Sequence, residues 1–398
     1  MSEAPVAGPL EGVTVVGLEQ AVAAPFATRQ LADLGARVVK VERPGVGDFA
    51  RHYDESVKGS SSYFVWLNRS KESLTLDLKA SQGLDILGRL LERADVLVHN
   101  LGPGAAERLG LDTAGLRERH PRLVPCAITG YGSHGPWAMR KAYDLLVQGE
   151  AGLLSVTGTP EEPAKVGISV ADIAAGMYAF SGILTALYVR ATTGAVSAVD
   201  TSLFDALGEW MGAPAHFTDG TGREPGRVGA RHATIAPYGP FTSRDGLTVI
   251  VGVQNEREWG SFCSVVLGDP DLAGDERFAR NSWRVAHRAE LDELIARRFA
   301  GLDAAAAVDL LERAGIAHAR LNTIGEFLRH PVLSVDGRWR RIETPGGPVR
   351  TLVPPLRLRD FEPRMGPVPA VGEHTDAILA ELGLDEGQIT RLRQAGTI

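Results

Sequence analysis

Hydrophobic and polar positions alternate between short apolar runs and stretches with helical period. Val13–Leu18 is an apolar run of strand length, and Pro25–Leu34 places Ala27, Leu31 and Leu34 on one helical face before stopping at Gly35. Val38–Val41 is a second apolar run, which completes a βαβ unit. The rhythm returns in Gln82–Arg93, with Leu84, Leu87 and Leu91 at helical spacing, then in the strand-like Val96–Val98 and Leu123–Thr129. Such alternation predicts an α/β fold built on a doubly wound parallel sheet. Ile173–Val189 is the longest uncharged run; it sits at the lower length limit of a membrane span, contains Gly176, Ser181 and Gly182, and reads as a buried helix.

Beyond Gly212 the pattern changes to Gly, Pro and polar residues as far as Pro240. The predicted organisation is therefore a large domain over 1–211, a linker over 212–240 and a small α+β domain over 241–330. The small domain would hold a strand at Leu247–Val253 and a helix at Ala304–Ala314. Residues 331–398 follow, with Pro345–Pro369 extended and a short helical tail from Thr375.

Composition narrows the function. The 398 residues are 44% hydrophobic and 23% charged, which fits a globular protein with a substantial core and excludes a disordered or collagen-like chain. Lys and Arg number 42 against 49 Asp and Glu, so general nucleic-acid binding is disfavoured and any polyanionic ligand needs a local basic pocket. Cys126 and Cys263 lie far apart without a CxxC, so neither a disulfide framework nor a zinc site is expected. Met1–Gly12 lacks the pattern of a signal peptide, and a cytoplasmic location with no membrane partner is expected. Glu42 follows the second strand where an acidic residue could hold a ribose, yet the first turn, Glu19–Ala24, lacks the glycines of a pyrophosphate loop. GxxxxGK[ST], HExxH and GxSxG are absent as well, so the expected cofactor set contains no nicotinamide, flavin or metal.

One stretch carries candidate chemistry. In Gly167–Met177 a single carboxylate, Asp172, heads an almost wholly apolar helix. Two readings stand side by side: an N-cap that satisfies backbone N–H groups, or a nucleophile that the surrounding small residues leave accessible to a bulky ligand.

Five segments, taken in order and spacing, form a larger pattern: Pro9–Val13 with Leu34–Pro44, Asn68–Lys79, Val98–Gly104, Gly167–Met177 and Gly372–Thr375. On these the chain resembles the class III CoA-transferase (CaiB/BaiF) family over essentially its whole length. The resemblance implies a Rossmann-like large domain made from both chain ends, an inserted small domain and an interlocked homodimer. It also implies that Asp172 is the nucleophile, with acyl-CoA as substrate and an aspartyl-CoA thioester as intermediate. Arg43, Lys79, Arg108 and Lys141 match basic positions that contact CoA in the family, and Leu76, Asn100 and Leu101 match positions along the adenine and pantetheine path.

Departures from the family pattern shape the substrate expectation. Tyr143 stands where the α-methylacyl-CoA racemases have a His, which leaves racemase chemistry as the alternative rather than the main reading. Asp144 beside it is expected to be a helix cap. Val22 stands where formyl-CoA transferases have a Gln, with Gln20 nearby, and Arg231–Gly239 replaces their run of glycines. The segments Leu18–Ala27, Gly47–Arg51 and Ser62–Asn68 look like members that use small dicarboxylates such as itaconate, citramalate or mesaconate with succinyl-CoA. The expected pocket is thus Gln20, Val22, Tyr143 and His232, with Arg51, His52 and His232 as candidates for a second carboxylate. A CoA-binding protein without catalysis is the remaining alternative.

Overall fold

The computed structural model describes residues 8–335 and 337–398; the reading of Met1–Gly12 falls, for residues 1–7, outside them. The chain divides into two compact units. One takes the chain up to Ala151 together with Gly167–Trp210 and Leu333–Ile398, and the other takes Gly152–Val166 and Met211–Val332.

In the first unit six strands, β1 (Thr14–Leu18), β2 (Arg37–Glu42), β3 (Lys71–Thr75), β4 (Val96–His99), β5 (Val124–Thr129) and β6 (Val199–Ser202), form one sheet in the order 3-2-1-4-5-6. Every pairing is parallel, with Val15 opposite both Val38 and Val96. This is the Rossmann-like order, in which a sheet covered on both faces takes strands that are apolar on both sides. Five helices matter for the site: α1 (Ala23–Asp33), α2 (Ser81–Leu91), α3 (Val170–Thr193), α4 (Thr375–Glu381) and α5 (Glu386–Gln394). One sheet face packs Val16, Val39 and Leu97 against Ile86 and Leu90 of α2, Ile378 of α4 and Leu392 of α5. On the opposite face α1 packs against β1, β2 and β4, and α3 against β5 and β6. Gly35 ends the α1 turn with φ near +103°, a conformation that favours glycine.

Several elements differ from the expected pattern. β3 was not anticipated as a strand, because Lys71, Ser73 and Thr75 are polar residues that the fold buries. Gly212–Pro240 contains a helix at Gly212–Thr221, and Pro345–Pro369 contains β11 (Val349–Leu352), which pairs antiparallel with β10 (Trp339–Ile342). The burial expected of Ile173–Val189 applies to one face of α3: Ala174, Ala175, Ala179 and Ile183 are buried, whereas Tyr188 is 70% exposed. Among the described residues α3 is the one helix long and apolar enough to cross a membrane.

The C-terminal segment covers the outer edge of β3. Ser73 N–H donates to His374 Nδ1 and accepts at its carbonyl from His374 N–H, while Thr75 N–H donates to the Thr375 hydroxyl. Ser70 N–H reaches the Pro367 carbonyl and Asp77 N–H the Thr397 carbonyl, so a sheet edge that would otherwise offer unpaired groups is closed.

The second unit is α+β. Its antiparallel sheet joins β7 (Tyr238–Thr242), β8 (Thr248–Gly252) and β9 (Ala317–Arg320), in that order, and buries Phe241, Trp259, Phe262, Phe278 and Phe299 in its core.

Candidate active site

In a parallel sheet the segments that follow each strand gather at its carboxyl edge, and ligands bind where the strand order reverses. Here that point lies between β1 and β4. Gln20 follows β1, Asn100 follows β4, and the two lock together: Gln20 N–H donates to Asn100 Oδ1 at 2.9 Å and Asn100 Nδ2 donates to the Gln20 carbonyl at 2.8 Å. Arg43 follows β2 and Lys79 follows β3 on the same edge.

Asp172 lies in the first turn of α3, two residues after the helix begins at Val170, so it is not the N-cap. The cap is Ser169, whose side chain makes no capping bond. Asp144 supplies the missing acceptor from another helix, Asp144–Glu150: its Oδ1 takes Ala171 N–H at 2.8 Å and Asp172 N–H at 3.4 Å. Asp144 therefore caps α3 rather than its own helix, whose N-cap is Tyr143. Its other oxygen accepts from Gln148 Nε2 at 2.7 Å. Burial, and then the charge of Asp144, push the Asp172 carboxyl up to about 7. A half-buried carboxylate with that affinity for a proton is a stronger nucleophile than a solvated one, and half of it is ionised near neutral pH.

Gly176, one turn further along α3, lets α1 approach. A Cβ there would stand 2.6 Å from the Ala23 carbonyl oxygen and 3.1 Å from the Phe26 ring. The start of α1, and with it the Gln20–Val22 turn, is thereby set beside the helix that carries Asp172. Around the same place Tyr53 packs edge-on against Tyr63, which in turn meets Trp66. Burial raises the Tyr53 hydroxyl to about 12, and Asp48, Asp172 and Tyr143 add to the shift, so this hydroxyl stays protonated near Asp172.

Beneath the turn lies a buried ionic group with no counterpart in the sequence-based reading. Lys40 Nζ donates to Asp48 at 2.8 Å and to the Glu19 carbonyl at 3.1 Å, and Lys71 Nζ donates to Glu19 Oε1 at 2.6 Å and to Asn68 Oδ1 at 3.0 Å. The Lys40, Lys71 and Glu19 side chains are fully buried. Burial opposes ionisation of Glu19, but the Lys71 and Lys40 ammonium groups outweigh it and hold the carboxyl below its usual range. Glu42 is likewise held down to about 2: burial works against this, and Arg51, Lys40 and Ser73 prevail.

The expected CoA contacts divide by exposure. Arg43, Lys79, Arg108 and Lys141 are exposed, and none of these side chains has an ion pair or hydrogen bond among the described residues. Such cations remain open to phosphate oxygens. Leu76 is 2% exposed inside the core and Leu101 packs against the same cluster, so the Leu76 side chain cannot line a ligand path; its N–H is also taken, by the Glu42 carbonyl. Val22 is buried at the start of α1, which leaves the backbone of that turn rather than its side chain to face a substrate.

Tyr143 is 66% exposed. His232 belongs to the second unit, where its ring stacks on Tyr238 at 5.4 Å and its Nδ1 accepts from Thr234 N–H. Arg51 is not free for a second carboxylate: it is paired with both oxygens of Glu42, at 2.9 and 2.7 Å, and its guanidinium covers the Phe64 ring. His52 is exposed, with its ring nitrogen 3.2 Å from the Val46 carbonyl. No group of three or more His, Cys, Asp or Glu is placed to hold a metal ion among the described residues.

The sequence pattern of CoA-transferase family III matches residues 10–375. The chain belongs to this family. It is a class III CoA-transferase, with the Rossmann-like sheet domain and smaller α+β domain that the resemblance implied. The succinyl-CoA:glutarate CoA-transferase of Mus musculus is 34% identical over 98% of this chain and 90% of its own. The succinate–glutarate CoA-transferase of Agrobacterium fabrum is 34% identical over 94% and 96%. Among solved structures, a CaiB/BaiF family protein from Brucella suis is 36% identical, with a TM-score of 0.81 over 94% of this chain and all of that one. A Mycobacterium tuberculosis protein is 30% identical, with a TM-score of 0.82 over the same shares.

Proposed function

We propose that this class III CoA-transferase moves CoA between small dicarboxylic acids, with Asp172 as covalent nucleophile. The observation that carries the reading is the half-buried Asp172 carboxyl at the start of α3, raised to about 7 and placed beside the Gln20–Val22 turn. An Asp172 oxygen attacks the thioester carbonyl of an acyl-CoA; the C–S bond breaks, leaving a mixed anhydride and CoA thiolate. The thiolate attacks the aspartyl carbonyl, the anhydride C–O bond breaks, and the donor acid leaves as a carboxylate. An acceptor carboxylate then reverses both steps on the aspartyl-CoA thioester, so thioester energy is conserved.

The residues divide the remaining work. Arg43, Lys79, Arg108 and Lys141 supply charge for the phosphates of CoA, and Asn100 fixes the turn at the strand-order reversal. Tyr53 presents a phenol near Asp172, and Tyr143, at the N-cap of the Asp144 helix, stands where the α-methylacyl-CoA racemases have a His. The names of the relatives support succinyl-CoA as donor and glutarate or a similar dicarboxylate as acceptor. An interlocked homodimer, a cytoplasmic location and a part for His232 in acceptor binding belong to the same reading.

The test is to incubate the protein with succinyl-CoA, quench in acid and search for a CoA-mass adduct on the Asp172 peptide, with Asp172→Ala as control. The expected adduct is discharged by glutarate. Intact succinyl-CoA, together with solvent deuterium entering the α-position of a branched acyl-CoA, would instead establish the racemase alternative.

A further inference from the structure

The buried ionic group is larger than fold stability explains. Three acids, Glu19, Glu42 and Asp48, meet three bases, Lys40, Lys71 and Arg51, and burial of so many charges brings little net stability over apolar packing. What the group does hold is backbone. Asp48, 1% exposed, accepts at Oδ1 from Ala21 N–H at 3.1 Å and from Ala50 N–H at 2.9 Å, and at Oδ2 from Lys40.

Those two amides belong to different walls of the site. Ala21 has φ near +60°, a left-handed conformation that a non-glycine residue keeps only when its surroundings impose it. It stands between Gln20, tied to Asn100, and Val22, which starts α1 against α3. Ala50 lies in the short 3-10 helix Phe49–His52, which leads into Tyr53. Tyr53 feels the charges of both Asp48 and Asp172. One carboxylate therefore sets both the strained turn and the segment that leads into Tyr53, and Lys40 Nζ, at 2.8 Å from its other oxygen, orients that carboxylate.

We infer that Asp48, locked by Lys40, is a positioning residue for CoA transfer: it holds the Ala21 turn and the Phe49–Tyr53 segment in the geometry that acyl transfer to Asp172 requires. The inference rests on Asp172 being the nucleophile. It does not concern CoA affinity, since the free cations lie elsewhere on the carboxyl edge. Relaxation of Ala21 toward negative φ would displace the turn, and misplacement on the ångström scale slows a positioned reaction by up to about 100-fold.

The experiment first loads wild-type protein with succinyl-CoA, glutaryl-CoA or acetyl-CoA and follows the Asp172 adduct by quenched single-turnover mass spectrometry. Failure of wild type to form any adduct sinks the nucleophile reading, and this inference with it. With the wild-type adduct in hand, Asp48→Ala and Asp48→Asn are compared for loading rate, CoA dissociation constant and the share of acyl-CoA lost to hydrolysis. The expected result is loading slower by about 100-fold for Asp48→Ala and about 10-fold for Asp48→Asn, whose amide oxygen still accepts from both N–H groups. CoA affinity should stay within about twofold, because no CoA contact is removed, and hydrolysis should rise relative to transfer. Loading at the wild-type rate in both variants, or a loss seen only as weaker CoA binding, overturns the inference while leaving Asp172 in place. Should Asp48→Ala fail to fold, Asp48→Asn decides by the same criteria.

Discussion

Replacing Asp172 by Asn should make the protein more stable as it abolishes transfer, and the gain should depend on pH. The carboxyl moves from an ordinary 3.8 to about 7 because burial and Asp144 disfavour its charge. A raised carboxyl binds its proton more tightly in the native than in the unfolded state, so native stability falls as pH rises from 3.8 to 7 and the loss is complete above that window. At about 1.4 kcal/mol per tenfold, the full loss is about 4 kcal/mol at pH 8, and about 2 kcal/mol has accrued by pH 5. Asn has nearly the same shape and no charge to bury, so Asp172→Asn recovers these amounts. For a chain of this length about 1 °C accompanies each kcal/mol, giving a melting temperature higher by about 4 °C at pH 8 and about 2 °C at pH 5. Thermal unfolding followed by intrinsic fluorescence at matched scan rates reads the difference. A gain that is equal at the two pH values, or larger at pH 5, would refute the account of Asp172 as a carboxylate strained by burial. Adduct formation in wild type should show the complementary profile, rising with pH through about 7 as the nucleophile ionises.

Other expectations follow from single contacts. Gly176→Ala drives a Cβ against the Ala23 carbonyl and Phe26, where backbone cannot yield cheaply; about 1–3 kcal/mol of destabilisation and a fall in kcat are expected from melting and steady-state kinetics. Asn100→Ala removes both bonds to the Gln20 backbone and should lower stability by about 1–3 kcal/mol, with a larger loss in kcat than in CoA affinity. Arg43→Ala and Lys79→Ala should leave the melting temperature unchanged, because neither side chain has a partner among the described residues, while KM for acyl-CoA rises and becomes less sensitive to salt.

The parts of the fold that could be read in advance are those where local pattern and final environment agree. β1, α1 and β2 emerge from apolar runs and helical spacing, since Val15, Val16, Leu31, Val38 and Val39 are buried as their pattern demands. β3 escaped because its Lys71 and Ser73 are buried polar residues, and what makes their burial tolerable lies elsewhere in the chain: Lys71 meets Glu19, 52 positions away, and Ser73 meets Glu42. The same reason hid the role of Asp48, which in sequence is one more loop aspartate. Gly372–Thr375, recognisable only as part of a family pattern, acquires a physical reason once His374 and Thr375 are seen to close the β3 edge.

Sequence alone determined the alternation of strands and helices and the singular carboxylate at Asp172, because each is carried by residues close together in the chain, and it determined the family through the order and spacing of short segments spread along the whole chain. Tertiary structure alone decided what that carboxylate experiences. Asp172 is no N-cap; its helix is capped by Asp144 from 28 positions away, and burial, followed by the charge of that nearby carboxyl, raises the affinity of Asp172 for a proton. The Ala21 turn beside it is held by Asn100 and Asp48, from loops that follow other strands. Burial and charge proximity are properties of distance in space, which a parallel sheet creates by gathering the ends of separate strands at one edge.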